Sequence, residues 1–188
     1  MAIRREFVRK NLGEYVIPVM NVELKEDMEV GMLFAIEKSS GKAIKADHTG
    51  WSAPANEKPA IGVIPYSSLE GWGEKFEFNR KEILKAGEII DVYTYGILYS
   101  PEIVEEIIKA ESPSPEAAFL SETPKMKNEA EAMAKYINKP VYLGKQGLVT
   151  LAEPAGSANN GVQIVGYLAN PKTGAVRLML NNRGAKKE

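Results

Sequence analysis

Residues 138–180 decide the fold expected for this chain: NKPVYLGKQGLVTLAEPAGSANNGVQIVGYLANPKTGAVRLML. Short runs of β-branched, aromatic and other apolar residues alternate here with glycine-containing turns, which is the pattern of antiparallel strands. The pattern predicts a tight turn at 144–147 and strands at 139–143, 148–151, 163–168 and 175–180. Few of these side chains could carry chemistry, so the stretch indicates a module that presents surfaces rather than a reaction centre.

The composition is that of a globular protein with one generous domain or two small ones. The chain has 188 residues, and its 44% hydrophobic content is enough to bury a core. The absence of cysteine excludes a disulfide framework, a thiolate nucleophile and cysteine-ligated zinc. The net charge of -1 does not favour nucleic acid, and the apolar runs fall short of the roughly 20 residues of a spanning helix. We therefore expect no nucleic-acid or membrane partner, and synthesis in a cytoplasm.

The chain divides into an arm, a β domain in two pieces, a helical insertion and a tail. Residues 1–14 form the N-terminal arm, and residues 181–188 form a polar tail. Residues 15–98 and 139–180 are rich in strand signals and together make the β domain, whereas 99–138 has helical periodicity. The fold class expected is mainly β (α+β), a small antiparallel β-barrel or sandwich with a helical insertion.

Within the first β piece, residues 89–98 carry the strongest strand signal, because they are rich in β-branched and aromatic side chains. Further strands are predicted at 15–20, 32–36, 43–46 and 60–64.

Three serine- or threonine-proline pairs mark helix starts in the insertion. The first, Ser100-Pro101, precedes a helix with an apolar face, and the others are Ser114-Pro115 and Thr123-Pro124. The residues expected to pack on the β domain are Ile103, Ile107, Ile108, Met126 and Met133.

Candidate catalytic and metal-binding residues are few. His48 is the one histidine and follows Asp47, but adjacent residues of an extended chain point to opposite sides, so a loop role is favoured over base catalysis. Glu23, Glu26 and Asp27 are close in sequence but lack the ligand density of a calcium loop. We expect no catalytic residue, no metal and no cofactor.

The two tryptophans, Trp51 and Trp72, are predicted to lie in loops among small and polar residues. A loop tryptophan can cap a core, or it can anchor an interface, where large aromatic side chains dominate the binding energy. Both interpretations stay open at this point.

The N-terminal arm mixes basic and apolar side chains and has too little apolar content to form a core. One interpretation is a solvated terminus, and the other is an arm that docks on a neighbouring subunit. On the second interpretation, the candidate interface residues are Arg4, Arg5, Phe7 and Arg9.

Several of these segments together resemble a known family. The pattern K-P-V-Y-L-G-x-x-G-L-V-T at 139–150, an apolar-Val-Gly-Tyr-Leu strand at 164–168 and A-V-R-L-M-L at 175–180 are similar to the C-terminal half of the small head-decoration (capsid cement) proteins of tailed bacteriophages. Residues 59–63 with 86–88 are similar to the first half. The arm and the helical insertion are additions to the compact form of that family.

The resemblance implies a β-rich virion protein that binds the major capsid protein on the outside of the shell and stabilises it. It also implies self-association, as a homotrimer, without a cofactor.

Two other functions fit the residues. A carbohydrate-binding or adhesin-like β module would use Trp51, Trp72 and Tyr66 as a sugar platform. A hydrolase would need carboxylates that meet only in the fold, in a pocket that shifts their pKa values.

Overall fold

The computed structural model describes residues 5–8, 21–48, 58–65, 83–111, 129–154 and 162–180. The expected mainly β fold is confirmed. The strands are β1 (Glu6–Val8), β2 (Asn21–Glu23), β3 (Met28–Glu29), β4 (Leu33–Ile36), β5 (Ala43–Lys45), β6 (Gly62–Val63), β7 (Ile83–Leu84), β8 (Ile89–Asp91), β9 (Tyr95–Tyr99), β10 (Pro140–Leu143), β11 (Val149–Thr150), β12 (Ile164–Asn170) and β13 (Ala175–Met179). The helices are α1 (Pro101–Glu111) and α2 (Glu129–Tyr136).

The large sheet has six antiparallel strands in the order β1-β9-β13-β12-β10-β11 and curls into a half-barrel. The four predicted C-terminal strands are confirmed in it, and β10 and β11 are joined by the predicted turn at 144–147. Strand β9 comes from the first β piece and pairs with β13 over five residues, so the two pieces share one sheet. Its inner face carries the main core, which includes Leu98, Leu143, Leu168 and Val176.

Residues 21–29 and 83–91 form a second antiparallel unit, which we call the ribbon. Asn21 lies opposite Asp91 at one end and Glu29 opposite Ile83 at the other, in the same register. Its inward side chains, among them Val22, Met28, Leu84 and Ile90, pack around Phe34 in a second core.

Strands β4 and β5 form the predicted hairpin, and β6 pairs with β4 on the other side. The hairpin meets the turn of the large sheet: Leu33 N donates to Gly147 O at 2.8 Å, and Gly147 N donates to Ala46 O at 2.6 Å. Gly147 has φ +76°, and a Cβ there would lie 2.6 Å from Leu33 O. Only glycine fits so close a crossing of two backbones.

Gln163 also joins the two β pieces. Its buried side-chain amide accepts from Ala60 N and donates to Ala60 O, both at 2.7 Å. The side chain thus imitates a paired strand between segments that are far apart in sequence, and it satisfies two backbone groups that burial would otherwise leave unpaired.

The prediction of one continuous strand at 89–98 is wrong, although both parts of the segment are β-strands. The chain breaks into β8, which belongs to the ribbon, and β9, which belongs to the large sheet. Between them Val92 packs in the second core while Tyr93 packs against the main core. The segment therefore crosses from one core to the other, and a continuous ladder cannot follow it.

Helix α1 begins at the predicted proline, directly after Ser100, whose hydroxyl donates to Glu102 Oε2 at 2.7 Å. Its predicted apolar face is confirmed, since Ile103 and Ile107 are buried in the main core. Glu106 Oε2 accepts from Leu151 N at 2.7 Å and fixes the helix beside β11.

The end of α1 is tied to α2. Glu111 Oε1 lies 2.5 Å from Lys135 Nζ and accepts from the Tyr136 hydroxyl at 2.6 Å. The Lys135 ammonium lowers the pKa of Glu111. Met133 is half-buried, and the helix starts predicted at Ser114-Pro115 and Thr123-Pro124, with Met126, lie outside the described residues.

Candidate binding face

The large sheet has a solvent-facing side that carries aromatic, aliphatic and basic side chains. Alternate residues of a strand point to opposite sides of a sheet, and directly paired residues share a side. Because Leu98, Leu178 and Leu168 point inward, their neighbours point outward. We call this surface the outer face; its members are Tyr95, Ile97, Tyr99, Tyr142, Tyr167, Arg177 and Met179.

A row of paired residues crosses the middle of the outer face. Ile97 of β9 lies opposite Arg177 of β13, and Arg177 lies opposite Tyr167 of β12. Tyr167 in turn lies opposite Pro140 of β10, so the row spans four strands. Arg177 is exposed and sits near the centre, between an aliphatic and an aromatic neighbour.

Two further pairs extend the outer face on one side of this row, toward the end of β13. Met179 is 48% exposed and lies opposite Tyr95, and Tyr142 lies opposite Ile164. Burial raises the pKa of the Tyr142 hydroxyl above its usual value, and the nearby Glu153 carboxylate and Tyr167 add to the shift. The Tyr142 ring is thus partly desolvated before any partner binds.

The residue types of the outer face are those of protein interfaces. Tyrosine, methionine and arginine are enriched at the centres of protein–protein contacts, whereas lysine, glutamate and aspartate are depleted there. Within the described part of the chain, no ion pair to Arg177 is formed. The geometry suits binding of a partner, since it places half-buried aromatic and aliphatic side chains around an exposed cation that no described residue neutralises.

Of the interface residues predicted from the sequence, Arg5 is placed within the fold. Its side chain is 13% exposed, and its Nη1 lies 2.6 Å from Glu29 Oε2. The other guanidinium nitrogen pairs with Glu102 in the first turn of α1. Arg5 therefore holds the arm to the ribbon and to the helix of its own chain.

The rest of the arm and the tryptophans are described only in part. The backbone of Phe7 pairs with Leu98, so that residues 6–8 form an edge strand of the large sheet. Arg4, Arg9, Trp51 and Trp72 lie outside the described residues, as does Tyr66. The docking of the arm on a neighbouring subunit stays a prediction.

The Asp47–His48 pair does not form a hydrogen-bonded dyad. His48 Nδ1 lies 3.9 Å from Asp47 Oδ1 and has no hydrogen-bond partner. Asp47 Oδ2 instead accepts from Gln146 N at 3.3 Å, and His48 N donates to Gly144 O at 3.1 Å. Both residues fasten the turn of the large sheet to the hairpin, which agrees with a loop role.

Three acidic residues of the ribbon are each paired with a lysine. The pairs are Glu23–Lys42 at 2.6 Å, Glu26–Lys45 at 3.6 Å and Asp27–Lys85 at 2.7 Å. Hydrogen bonds from Lys25 and Ser40 lower the pKa of Glu37 from 4.5 to about 2. Among the residues that the structure describes, no group of three or more histidine, aspartate or glutamate side chains could hold a metal ion.

Sequence reasoning missed the outer face, although part of its signal was present. Tyr95, Ile97 and Tyr99 alternate with Gly96 and Leu98, so β9 is apolar on both sides. A strand that is apolar on both sides is either covered or presents a binding surface.

Comparisons of the chain with protein-family models, with curated proteins and with solved structures gave no significant match. In the described ranges, neither helix has the length and apolar character needed to cross a membrane.

Proposed function

We propose that this protein is a structural component of a virion that binds and stabilises the capsid shell of a tailed bacteriophage, in the manner of head-decoration proteins. The observation that carries the proposal is the outer face, whose Tyr95, Tyr167, Arg177 and Met179 are of the types that dominate protein contacts. The resemblance of residues 139–180 to that family supports it, and so does the mainly β fold.

The proposed role needs stiffness and contact area rather than chemistry. A curled sheet packed on one helix face and crosslinked by Gln163 is a rigid body that can lie over a junction between shell subunits. Specific contacts of about 1,600 Å² in total are typical of stable protein complexes. Repeated over many copies, contacts of this kind would harden a shell against internal pressure.

In this proposal the partner is the major capsid protein, the protein lies on the outside of the capsid, and it is made in the host cytoplasm. Its copies associate with each other as a homotrimer. No catalytic step and no cofactor are involved.

The direct test is to add purified protein to undecorated shells assembled from the major capsid protein of the same genome. We expect saturable binding at symmetry-related positions, seen by cryo-electron microscopy and by co-sedimentation. Folded protein that fails to bind such shells at micromolar concentration would contradict the proposal. The mass of the protein in solution, measured by light scattering, tests the homotrimer separately.

A carbohydrate-binding module is the second candidate, and the half-buried tyrosines of the outer face favour it. Tyr95, Tyr99, Tyr142 and Tyr167 each combine a flat apolar ring with a polar hydroxyl. A glycan array discriminates between the two functions. Glycan binding that is lost on Tyr167→Ala, together with no affinity for shells, would replace the first proposal by the second.

A further inference from the structure

The unmatched charge of Arg177 restricts what can bind the outer face. The guanidinium is exposed between Ile97 and Tyr167, and in the described part of the chain no carboxylate pairs with it. An arginine within an apolar contact needs an anion, because burying an unpaired charge is costly. A guanidinium presents a rigid fork of donors that suits the two oxygens of a carboxylate.

A two-fold contact centred on Arg177 does not supply that anion. A two-fold contact is self-complementary, so a dimer centred on the row Ile97–Arg177–Tyr167 would bring two Arg177 side chains together. Like charges that face each other across an interface weaken binding. Glu153 lies beside Tyr142 at the margin of this surface and interacts within its own chain, and the backbone of Glu6 pairs with Tyr99 at the β1 edge, away from the Arg177 row.

We propose that the outer face binds a different protein, and that this partner presents a carboxylate to Arg177 from within an apolar patch. The inference rests on the proposed function, in which the partner is the capsid shell. Arg177 supplies register and specificity, and the surrounding Tyr95, Tyr167 and Met179 supply the apolar area. Any homotrimer then uses another surface, which leaves the outer face free for the shell.

The test compares two charge reversals in the full-length chain. Arg177→Glu reverses the charge at the centre of the outer face, and Lys145→Glu makes the same reversal on an exposed turn of the same sheet. Binding to undecorated shells is measured by co-sedimentation of labelled protein. We expect Arg177→Glu to weaken binding about 100-fold or more, because it sets a carboxylate against a carboxylate, and Lys145→Glu to change it less than about threefold.

Thermal unfolding of both variants tests whether a loss of binding reflects a loss of folding. Arg177→Lys is a third variant, for which we expect a smaller loss of shell affinity than for Arg177→Glu. Lysine keeps the charge but loses the fork, so an intermediate affinity supports the proposal.

If wild-type protein binds shells and Arg177→Glu binds equally well, the inference is overturned while the proposed function stands. If wild-type protein does not bind shells, the proposed function fails and the inference fails with it. If Arg177→Glu dissociates a homo-oligomer and leaves shell affinity unchanged, the occupant is a second copy and the inference is wrong.

Discussion

The ribbon and the outer face are both solvent-facing β surfaces, but they differ in whether their charged side chains are paired with opposite charges of the same chain. On the ribbon, Glu23, Glu26 and Asp27 each meet a lysine. On the outer face, Arg177 stands among tyrosines without a carboxylate from the described residues. A surface whose charges are matched internally has little to gain from a partner, whereas an apolar surface with one unmatched cation gains both area and a salt bridge. In the proposed function, the outer face is therefore the surface that contacts the shell.

The largest effect is expected from two neighbouring residues of β13 on opposite sides of the sheet. Leu178 is 1% exposed and Met179 is 48% exposed. Leu178→Ala should lower the free energy of unfolding by about 2–5 kcal/mol, because it leaves a cavity in the core. Met179→Ala should cost no more than about 0.5 kcal/mol, as is usual for surface positions.

Urea unfolding followed by circular dichroism measures both changes. A large loss of unfolding free energy in Met179→Ala would show that the methionine is part of a packed core. The outer face would then not be the free surface that the comparison with the ribbon assumes.

The next effect concerns the joint between the two β pieces. Gln163→Leu should lower the free energy of unfolding by about 2–4 kcal/mol. The substitution leaves the buried backbone N–H and C=O groups of Ala60 without their hydrogen-bond partners. The unfolding transition should stay single, since the large sheet also shares the Leu33–Gly147 hydrogen bond with the hairpin. Two separated transitions in calorimetry would contradict this, and would show that the two pieces unfold independently.

Local features of the fold were predictable from the sequence, but features that depend on distant pairing were not. The turn at 144–147 and the start of α1 after Ser100 follow from residues within a few positions. The break between β8 and β9 does not, because it depends on which core receives Val92 and which receives Tyr93.

The same distinction applies to the candidate binding face. Arg177 becomes its centre only when β9 and β12 flank β13 in one register. Arg5 was predicted as a residue that contacts a neighbouring subunit, but the sequence could not show that Glu29 and Glu102 of its own chain would meet it.

A smaller effect, on the pH dependence of stability, tests the matched charges near the ribbon. Hydrogen bonds from Lys25 and Ser40 hold the pKa of Glu37 at about 2, below its ordinary value of 4.5. Because the folded-state pKa is depressed, the stabilisation is complete above pH 4.5 and is lost as the pH falls toward 2. Asp27, whose pKa is lowered chiefly by a hydrogen bond from Lys85, contributes with the same sign.

In Glu37→Gln, the urea midpoint of unfolding should therefore vary less with pH in this acidic range. Its dependence on pH in the higher range should be unchanged. About 1 M salt should weaken the wild-type dependence, because charges at a surface are then screened within about 3 Å. An unchanged acidic slope in Glu37→Gln would show that the carboxylate is not held by Lys25 in solution.

The smallest effect is a titration that separates the two surfaces by the cause of their pKa shifts. Beside the ribbon, the hydrogen bond from the oppositely charged Lys25 is the main cause that lowers the pKa of Glu37. On the outer face, burial is the main cause that raises the pKa of Tyr142, and Glu153 and Tyr167 contribute less. Ultraviolet titration of wild-type protein minus Tyr142→Phe should thus show a phenol that ionises above pH 10.0, and Glu153→Gln should move it down only slightly. A difference curve centred at or below 10.0 would mean that water reaches the Tyr142 hydroxyl freely. The outer face would then be a solvated surface like that of the ribbon, and the physical ground for placing a partner on it would be lost.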